Sequence, residues 1–150
     1  MSKMRRAAAI LLLTLLTACA DKGEAPAPEL DELRGQWVVI NYWAQWCKPC
    51  IEEIPELNAL NEAYDTVTVL GVNYDGATGA DLDNQTRSLG VAFPTLKHDP
   101  SGQLGIPRPV ALPTTLIVSP RGELKETLLG PQTLGSLSLA TEQTAVGNRK

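Results

Sequence analysis

The fold is decided by the stretch VVINYWAQWCKPC, residues 38–50. Its first seven residues are β-branched, aromatic or otherwise apolar except for Asn41, which is typical of a strand buried on both faces. After Cys47 the pattern becomes helical, and Pro49 is compatible with the first turn of a helix. The sequence therefore predicts a strand that runs directly into a helix, with Cys47 and Cys50 at the junction.

A cysteine pair at such a junction has a chemical logic. Unpaired N–H groups and the dipole at a helix N-terminus favour negative charge on the first sulfur. Thiols in such places have pKa values of about 3.5–7.5, against about 8.5 when free. Lys48 adds a positive charge beside Cys47, and Cys50, one turn further along, can resolve a mixed disulfide with a substrate. We interpret the pair as redox-active.

Two interpretations of the pair without redox catalysis remain open. Half of a zinc site is one, but the chain has no second Cys-x-x-Cys, and its single histidine, His98, is predicted to be a loop residue without a catalytic role. A purely structural disulfide is the other, although so small a loop gains little stability from closure. We predict no metal site and no cofactor.

The rest of the chain alternates strand and helix patterns before a hairpin. Predicted strands cover 38–44, 67–72, 114–118 and 124–129, predicted helices cover 49–64, 81–89 and 133–143, and a short extended piece covers 93–97. Pro55 is expected to kink the first helix without ending it. The turn signal at residues 119–122 joins the last two strands. This order predicts an α/β domain with a central mixed β-sheet flanked by helices.

The first eighteen residues have the pattern of a signal peptide. A basic segment, residues 1–6, precedes a twelve-residue apolar run that is too short to span a membrane, which takes roughly 20 residues. The end of this run, Leu16-Thr17-Ala18-Cys19, resembles the bacterial lipobox, in which the cysteine is acylated and becomes the N-terminus. An ordinary signal peptide, cut near Ala18 or Ala20, is the alternative.

These patterns divide the chain into residues 1–18 as a lipoprotein signal peptide, 19–29 as a lipidated tether and 30–150 as the folded domain. The whole chain has 13 basic and 17 acidic residues, and three of the basic ones lie before Cys19. So acidic a body is unsuited to nucleic acid and is not drawn to anionic lipid. Attachment to a membrane is therefore expected through Cys19, facing the periplasm, with the inner or outer membrane undecided.

Two motifs carry a resemblance to the thioredoxin superfamily: residues 38–50 and Leu112-Pro113-Thr114-Thr115. Residues 76–90, Phe93-Pro94-Thr95 and residues 119–123 are similar to its exported, membrane-anchored TlpA/ResA-like branch, and the likeness covers roughly residues 30–143. The resemblance implies a thioredoxin-like fold. It also implies a cis proline at Pro113 opposite the cysteines, with the backbone of Leu112 binding an extended substrate peptide.

The resemblance also implies roles for three further side chains. Asn41 stands where thioredoxin carries a buried aspartate, so proton transfer at Cys50 must use another group. Glu53 lies one helical turn beyond Cys50, and ResA-like proteins have a functional glutamate there, so Glu53 is the predicted proton acceptor. A solvated helix glutamate is the alternative. Trp46 is expected to pack beside the pair and shape a peptide-binding surface, and Trp43 to lie in the core.

A thiol–disulfide oxidoreductase of the cell envelope is thus the function that the resemblance implies. Its partners would be exported protein thiols and disulfides, including apocytochrome c cysteines before haem attachment, with a membrane thiol carrier as electron donor and the protein acting as a monomer. The resemblance favours reduction. A copper-binding chaperone is the alternative, since two thiolates suit copper(I). Peroxidase activity is disfavoured, because peroxide-reducing relatives place a threonine just before the reactive cysteine.

Overall fold

The computed structural model describes residues 28–143. Its elements are a 3-10 helix (Leu30–Leu33), β1 (Trp37–Trp43), α1 (Lys48–Ala63), β2 (Val67–Asn73), α2 (Gly79–Leu89), β3 (Thr114–Val118), β4 (Leu124–Leu129) and α3 (Leu134–Ala140). The predicted order of elements is confirmed, and the last helix ends earlier than predicted. The predictions for the signal peptide, for Cys19 and for the tether up to residue 27 concern residues outside the described range. Within residues 28–143, no helix has the length and apolarity needed to cross a membrane.

The four strands form one mixed sheet in the order β2-β1-β3-β4. β1 runs parallel to β2 and antiparallel to β3, and β3 and β4 form the predicted antiparallel hairpin. In the hairpin turn the N–H of Gly122 donates to the carbonyl oxygen of Ser119 at 2.7 Å. Because β1 is central, its C-terminal end delivers the cysteine loop to the middle of the sheet edge.

Each face of β1 packs against a different layer. The even-numbered side chains, Val38 to Tyr42, join a core with Leu33 of the 3-10 helix and with side chains of the long segment between α2 and β3. The odd-numbered side chains face α1 and α3, where Leu57 and Leu137 are fully buried. Burial on both faces explains the nearly continuous apolar composition of this strand.

α1 begins at a point where neighbouring residues satisfy the free backbone N–H groups of its first turn. Cys47 is the N-cap residue and accepts a hydrogen bond from the N–H of Cys50 at 3.3 Å, while Pro49 occupies the first turn, where no donor is missed. Ile54 and Leu57 then bury one face of the helix against the sheet. The helix continues through Pro55, as predicted.

The long segment between α2 and β3 is tied to the sheet by polar contacts. The hydroxyl of Tyr42 donates to Asp99 Oδ1 at 2.7 Å, and Arg108 Nε donates to Asp99 Oδ2 at 2.9 Å. Arg108 also stacks over the ring of Tyr74 at 4.0 Å. Burial and the neighbouring Asp99 raise the pKa of Tyr42 far above its ordinary value, so the phenol remains a hydrogen-bond donor. These contacts hold the chain that leads to Leu112.

Gly71 of β2 lies against the side chains that close this edge of the core. A Cβ atom there would lie 2.8 Å from Trp43 Nε1, 3.0 Å from Thr95 Oγ1 and 3.2 Å from Phe93 Cε2. The predicted extended piece, residues 93–97, forms a single parallel bridge at this point, between Gly71 and Thr95. The close approach of this segment therefore requires a residue without a side chain at position 71.

We expect Gly71→Ala to lower the free energy of unfolding by about 1–3 kcal/mol, because an extra methyl group in a packed core displaces its neighbours. Gly102→Ala is the matched control, since nothing lies within 4 Å of its Cβ position. The control should change stability by less than about 0.5 kcal/mol. Urea denaturation followed by tryptophan fluorescence measures both, and equal effects of the two substitutions would contradict the close packing at Gly71.

Candidate active site

Cys47 and Cys50 form a disulfide at the N-terminus of α1, with their Cα atoms 5.3 Å apart. The two cysteines differ in exposure: Cys47 retains 4% of its residue surface, and Cys50 is completely buried. An incoming thiol or disulfide can therefore reach only Cys47. Lys48, next to it, is exposed, and its Nζ lies 3.7 Å from Glu52 Oε1.

The reduced form of Cys47 would lie at a site suited to an anion. Its sulfur already accepts the N–H of Cys50, and it caps a helix of sixteen residues whose dipole is positive at this end. Both effects stabilise a thiolate over a thiol, which lowers the pKa of a cysteine in this position. The predicted placement of the pair at a helix N-terminus is confirmed.

The cysteines belong to a small apolar cluster of their own. Its buried members are Trp43, Ala44, Cys47 and Cys50, and the side chains packed around them are Tyr74, Leu82, Leu89 and Leu112. The prediction that Trp43 belongs to the core is confirmed. Sequence reasoning missed the contribution of α2, although the amphipathic spacing of Leu82 and Leu89 was a signal that could have suggested it. The cluster shields Cys50 from water.

Pro113 immediately precedes β3, and the Leu112–Pro113 peptide bond is cis, as the resemblance implies. Pro113 is buried, and Leu112 packs against the cysteine cluster. The carbonyl oxygen of Pro113 accepts the N–H of Gly130 at 2.9 Å. The structure therefore brings Leu112 to the cysteines.

Trp46 takes a more exposed position than an aromatic residue packed beside the disulfide would have. It is 66% exposed, and its indole Nε1 donates to Asp75 Oδ2 at 2.9 Å. This hydrogen bond orients the ring at the rim of the site, outside the buried cluster. Its part in binding a substrate peptide stays a prediction.

Glu53, one helical turn beyond Cys50 on α1, is buried, with only 1% of its surface exposed. Its Oε1 accepts from Asn41 Nδ2 at 2.6 Å, and its Oε2 accepts from the N–H of Gln132 at 2.7 Å. Asn41 Nδ2 also donates to Thr115 Oγ1 at 3.0 Å. The alternative of a solvated helix glutamate is therefore wrong. One carboxyl group joins α1, β1 and the segment before α3.

Burial raises the pKa of Glu53, and the hydrogen bonds from Gln132 and Asn41 offset only part of that effect. A carboxyl group in this state exchanges its proton closer to neutral pH than an exposed glutamate does. The Oδ1 atom of Asn41 is buried and has no hydrogen-bond partner among residues 28–143. The site thus combines a titratable acid with a free acceptor.

The remaining candidate ligands are scattered. His98 is exposed in the segment between α2 and β3. Within residues 28–143 there is no group of three or more histidine, cysteine, aspartate or glutamate side chains that could hold a metal ion.

Residues 16–127 match the model of the AhpC/TSA family. The chain belongs to the AhpC/TSA family. Within this family it is similar to the thiol-disulfide oxidoreductase ResA of Oceanobacillus iheyensis, with 33% identity over 73% of this chain and 57% of that protein. It is also similar to the thiol:disulfide interchange protein HelX of Rhodobacter capsulatus, with 32% identity over 73% of this chain and 61% of that protein. The chain spans less than two thirds of the length of either relative.

Structural comparison places this AhpC/TSA family chain among proteins with a thioredoxin-like fold. A thiol-disulfide isomerase from Corynebacterium glutamicum superimposes with a TM-score of 0.65 at 19% identity, covering 83% of this chain and 90% of that one. At such identity the likeness concerns the fold alone. The thioredoxin-like α/β fold predicted from residues 38–50 and Pro113 is confirmed.

Proposed function

We propose that this chain is a thiol–disulfide oxidoreductase that exchanges disulfides with exported protein thiols through Cys47 and Cys50. The observation that carries the proposal is the asymmetry of the pair: a cysteine that caps a helix N-terminus and keeps a small exposed surface, and a fully buried cysteine in the first turn of that helix. Cys-x-x-Cys enzymes need this asymmetry, because one thiol must attack and the other must resolve.

The reaction takes place in two exchange steps. The Cys47 thiolate attacks a disulfide sulfur of the substrate, which forms a Cys47–substrate bond and releases one substrate thiol. The Cys50 thiol then loses its proton and attacks the Cys47 sulfur, which releases the second substrate thiol. Two electrons pass to the substrate, and the protein is left as the Cys47–Cys50 disulfide.

Glu53 is the group we propose to accept the Cys50 proton. It is the buried carboxyl on the same helix, three residues beyond Cys50, and its raised pKa brings it closer to that of a thiol. Asn41 cannot take this role, because an amide does not titrate; instead it holds Glu53 Oε1. The acid and its amide partner together replace the single buried aspartate of ordinary thioredoxin.

The direction we propose is reduction. ResA and HelX are both named for thiol–disulfide chemistry, and the likeness to the ResA-like branch favours a reductant of exported protein disulfides. Apocytochrome c cysteines before haem attachment are the proposed substrate class, with a membrane thiol carrier as the electron donor. The protein would act as a monomer tethered through acylated Cys19, facing the periplasm.

Exchange with an oxidised Cys-x-x-Cys-His peptide tests the activity. The reduced protein should reduce the peptide, Cys47→Ser should be inactive, and Cys50→Ser should accumulate a mixed disulfide, because the resolving thiol is missing. Equilibration against glutathione should give a potential near −270 mV, about that of thioredoxin. A value near −120 mV would make the protein an oxidant, and an absence of exchange would refute the activity and favour copper binding, which a copper(I) titration measures.

The pH dependence of exchange tests Glu53. Burial raises its pKa, so the carboxylate that accepts the Cys50 proton is lost as the pH falls through that raised value. The wild-type rate should fall there, and Glu53→Gln should abolish this acid limb and lower the rate at neutral pH by about 100-fold or more. Stopped-flow fluorescence from pH 4 to 9 measures both. Glu52→Gln, on the exposed side of the same turn, should retain the limb, and an unchanged profile in Glu53→Gln would refute the role.

The lipid anchor is tested by expressing the full chain with Cys19→Ala. The wild-type protein should incorporate labelled fatty acid and sediment with membranes, whereas the variant should do neither, because acyl chains supply the binding energy. Cys47→Ser is the control and should remain in the membrane fraction. Labelling that persists in Cys19→Ala would contradict the anchor.

A further inference from the structure

The segment between β4 and α3, residues 130–133, connects the two halves of the site. The N–H of Gly130 donates to the carbonyl oxygen of Pro113 at 2.9 Å. Two residues later, the N–H of Gln132 donates to Glu53 Oε2 at 2.7 Å. The segment therefore joins the cis-proline turn, whose Leu112 packs against the cysteine cluster, to the buried carboxyl group of Glu53.

The side chain of Gln132 fixes this segment in place. Its Nε2 donates to the carbonyl oxygen of Gly130 at 2.9 Å, and its Oε1 accepts from Ser136 Oγ at 3.0 Å. The amide nitrogen is thus bound to Gly130, two residues earlier, and the amide oxygen to Ser136 in the first turn of α3. This arrangement holds the backbone N–H of Gln132 in the direction of Glu53.

Hydrogen-bond donors contact both oxygens of the Glu53 carboxyl group. Asn41 approaches it from β1 and Gln132 from the segment before α3, while Thr115 of β3 is reached through Asn41. Glu56, the next acid on the same side of α1, is occupied by the N–H of Leu134 at 2.7 Å. The carboxylate form of Glu53 therefore depends on two hydrogen bonds, one of which comes from Gln132.

We propose that Gln132 is a positioning residue for Glu53: its side chain holds the backbone N–H that stabilises the carboxylate. The proposal rests on the function proposed above, since that carboxylate is the acceptor of the Cys50 proton. When the N–H moves away, Glu53 keeps its proton to higher pH, because a donor to a carboxylate favours the charged form. Fewer molecules can then accept the Cys50 proton at a given pH.

A carbon-13 NMR titration of the Glu53 carboxyl group tests this directly, using the oxidised full chain in detergent micelles. Glu53→Gln assigns the signal by removing it. Gln132→Ala should raise the pKa of Glu53 by about one unit, since it loses both contacts that hold the segment. Gln132→Met keeps the side-chain volume without the hydrogen bonds and should shift the pKa in the same direction, which serves the test should the alanine variant unfold.

Thr133→Ala is the matched control. It removes the hydroxyl that accepts the N–H of Ser136 and caps α3, so it weakens the start of that helix while the contacts of Gln132 remain. Its Glu53 pKa should equal that of the wild type. An equal shift in Thr133→Ala, or none in either Gln132 variant, would overturn the proposal.

The exchange rate separates this proposal from the proposed function. In Gln132→Met the acid limb of the pH profile should move up by the same amount as the Glu53 pKa. If the pKa of Glu53 moves and the acid limb of the exchange rate does not, the link between Gln132 and proton transfer at Cys50 is overturned. The titration itself does not depend on activity. Wild-type protein that exchanges no disulfides would instead refute the proposed function itself, whatever the titration gives.

Discussion

A carboxyl group buried one helical turn beyond a disulfide constrains most of this site. Removing a carboxylate from water is costly unless hydrogen-bond donors replace the lost hydration, and its pKa rises where they do so incompletely. Glu53 has two donors, from Asn41 and from Gln132, on different elements. Both donors can reach Glu53 only if the sheet, α1 and the segment before α3 meet at this carboxyl group. The hydrogen bonds of Glu53 therefore depend on the whole fold.

The same packing that buries Glu53 separates the two sulfurs. Cys50 faces the sheet from the first turn of α1, within a cluster closed by Trp43 and by side chains of α2. Cys47 caps the helix and keeps an edge toward solvent. Burial disfavours a thiolate at Cys50, whereas the helix terminus favours one at Cys47, so the proton transfer proposed above concerns the buried cysteine only. Glu53 lies one helical turn beyond that cysteine.

The long segment between α2 and β3 contains no helix or strand. Polar contacts fix its position against the sheet. Asp99 accepts a hydrogen bond from the Tyr42 hydroxyl of the sheet and forms an ion pair with Arg108 of its own segment. Arg108 stacks on Tyr74, and Tyr74 packs against the cysteine cluster. An exposed ion pair alone contributes little stability, but a buried phenol needs an acceptor. Asp99 is that acceptor, and its contacts hold the chain that leads to Leu112.

The sequence by itself determined the local features of this protein. Strong periodicity and β-branched composition predicted the strands and α1, and the Cys-x-x-Cys spacing placed Cys47 and Cys50 at a helix start, because these signals depend on neighbours within a few residues. Only the tertiary structure decided the surroundings of Glu53: its partner Gln132 lies 79 residues away, in a polar segment without any periodic signal. Likewise, Trp46 could be recognised as adjacent to the pair, but its hydrogen bond to Asp75 depends on how β2 ends beside β1. Contacts between distant segments follow from the packing of the whole sheet, and local pattern does not encode them.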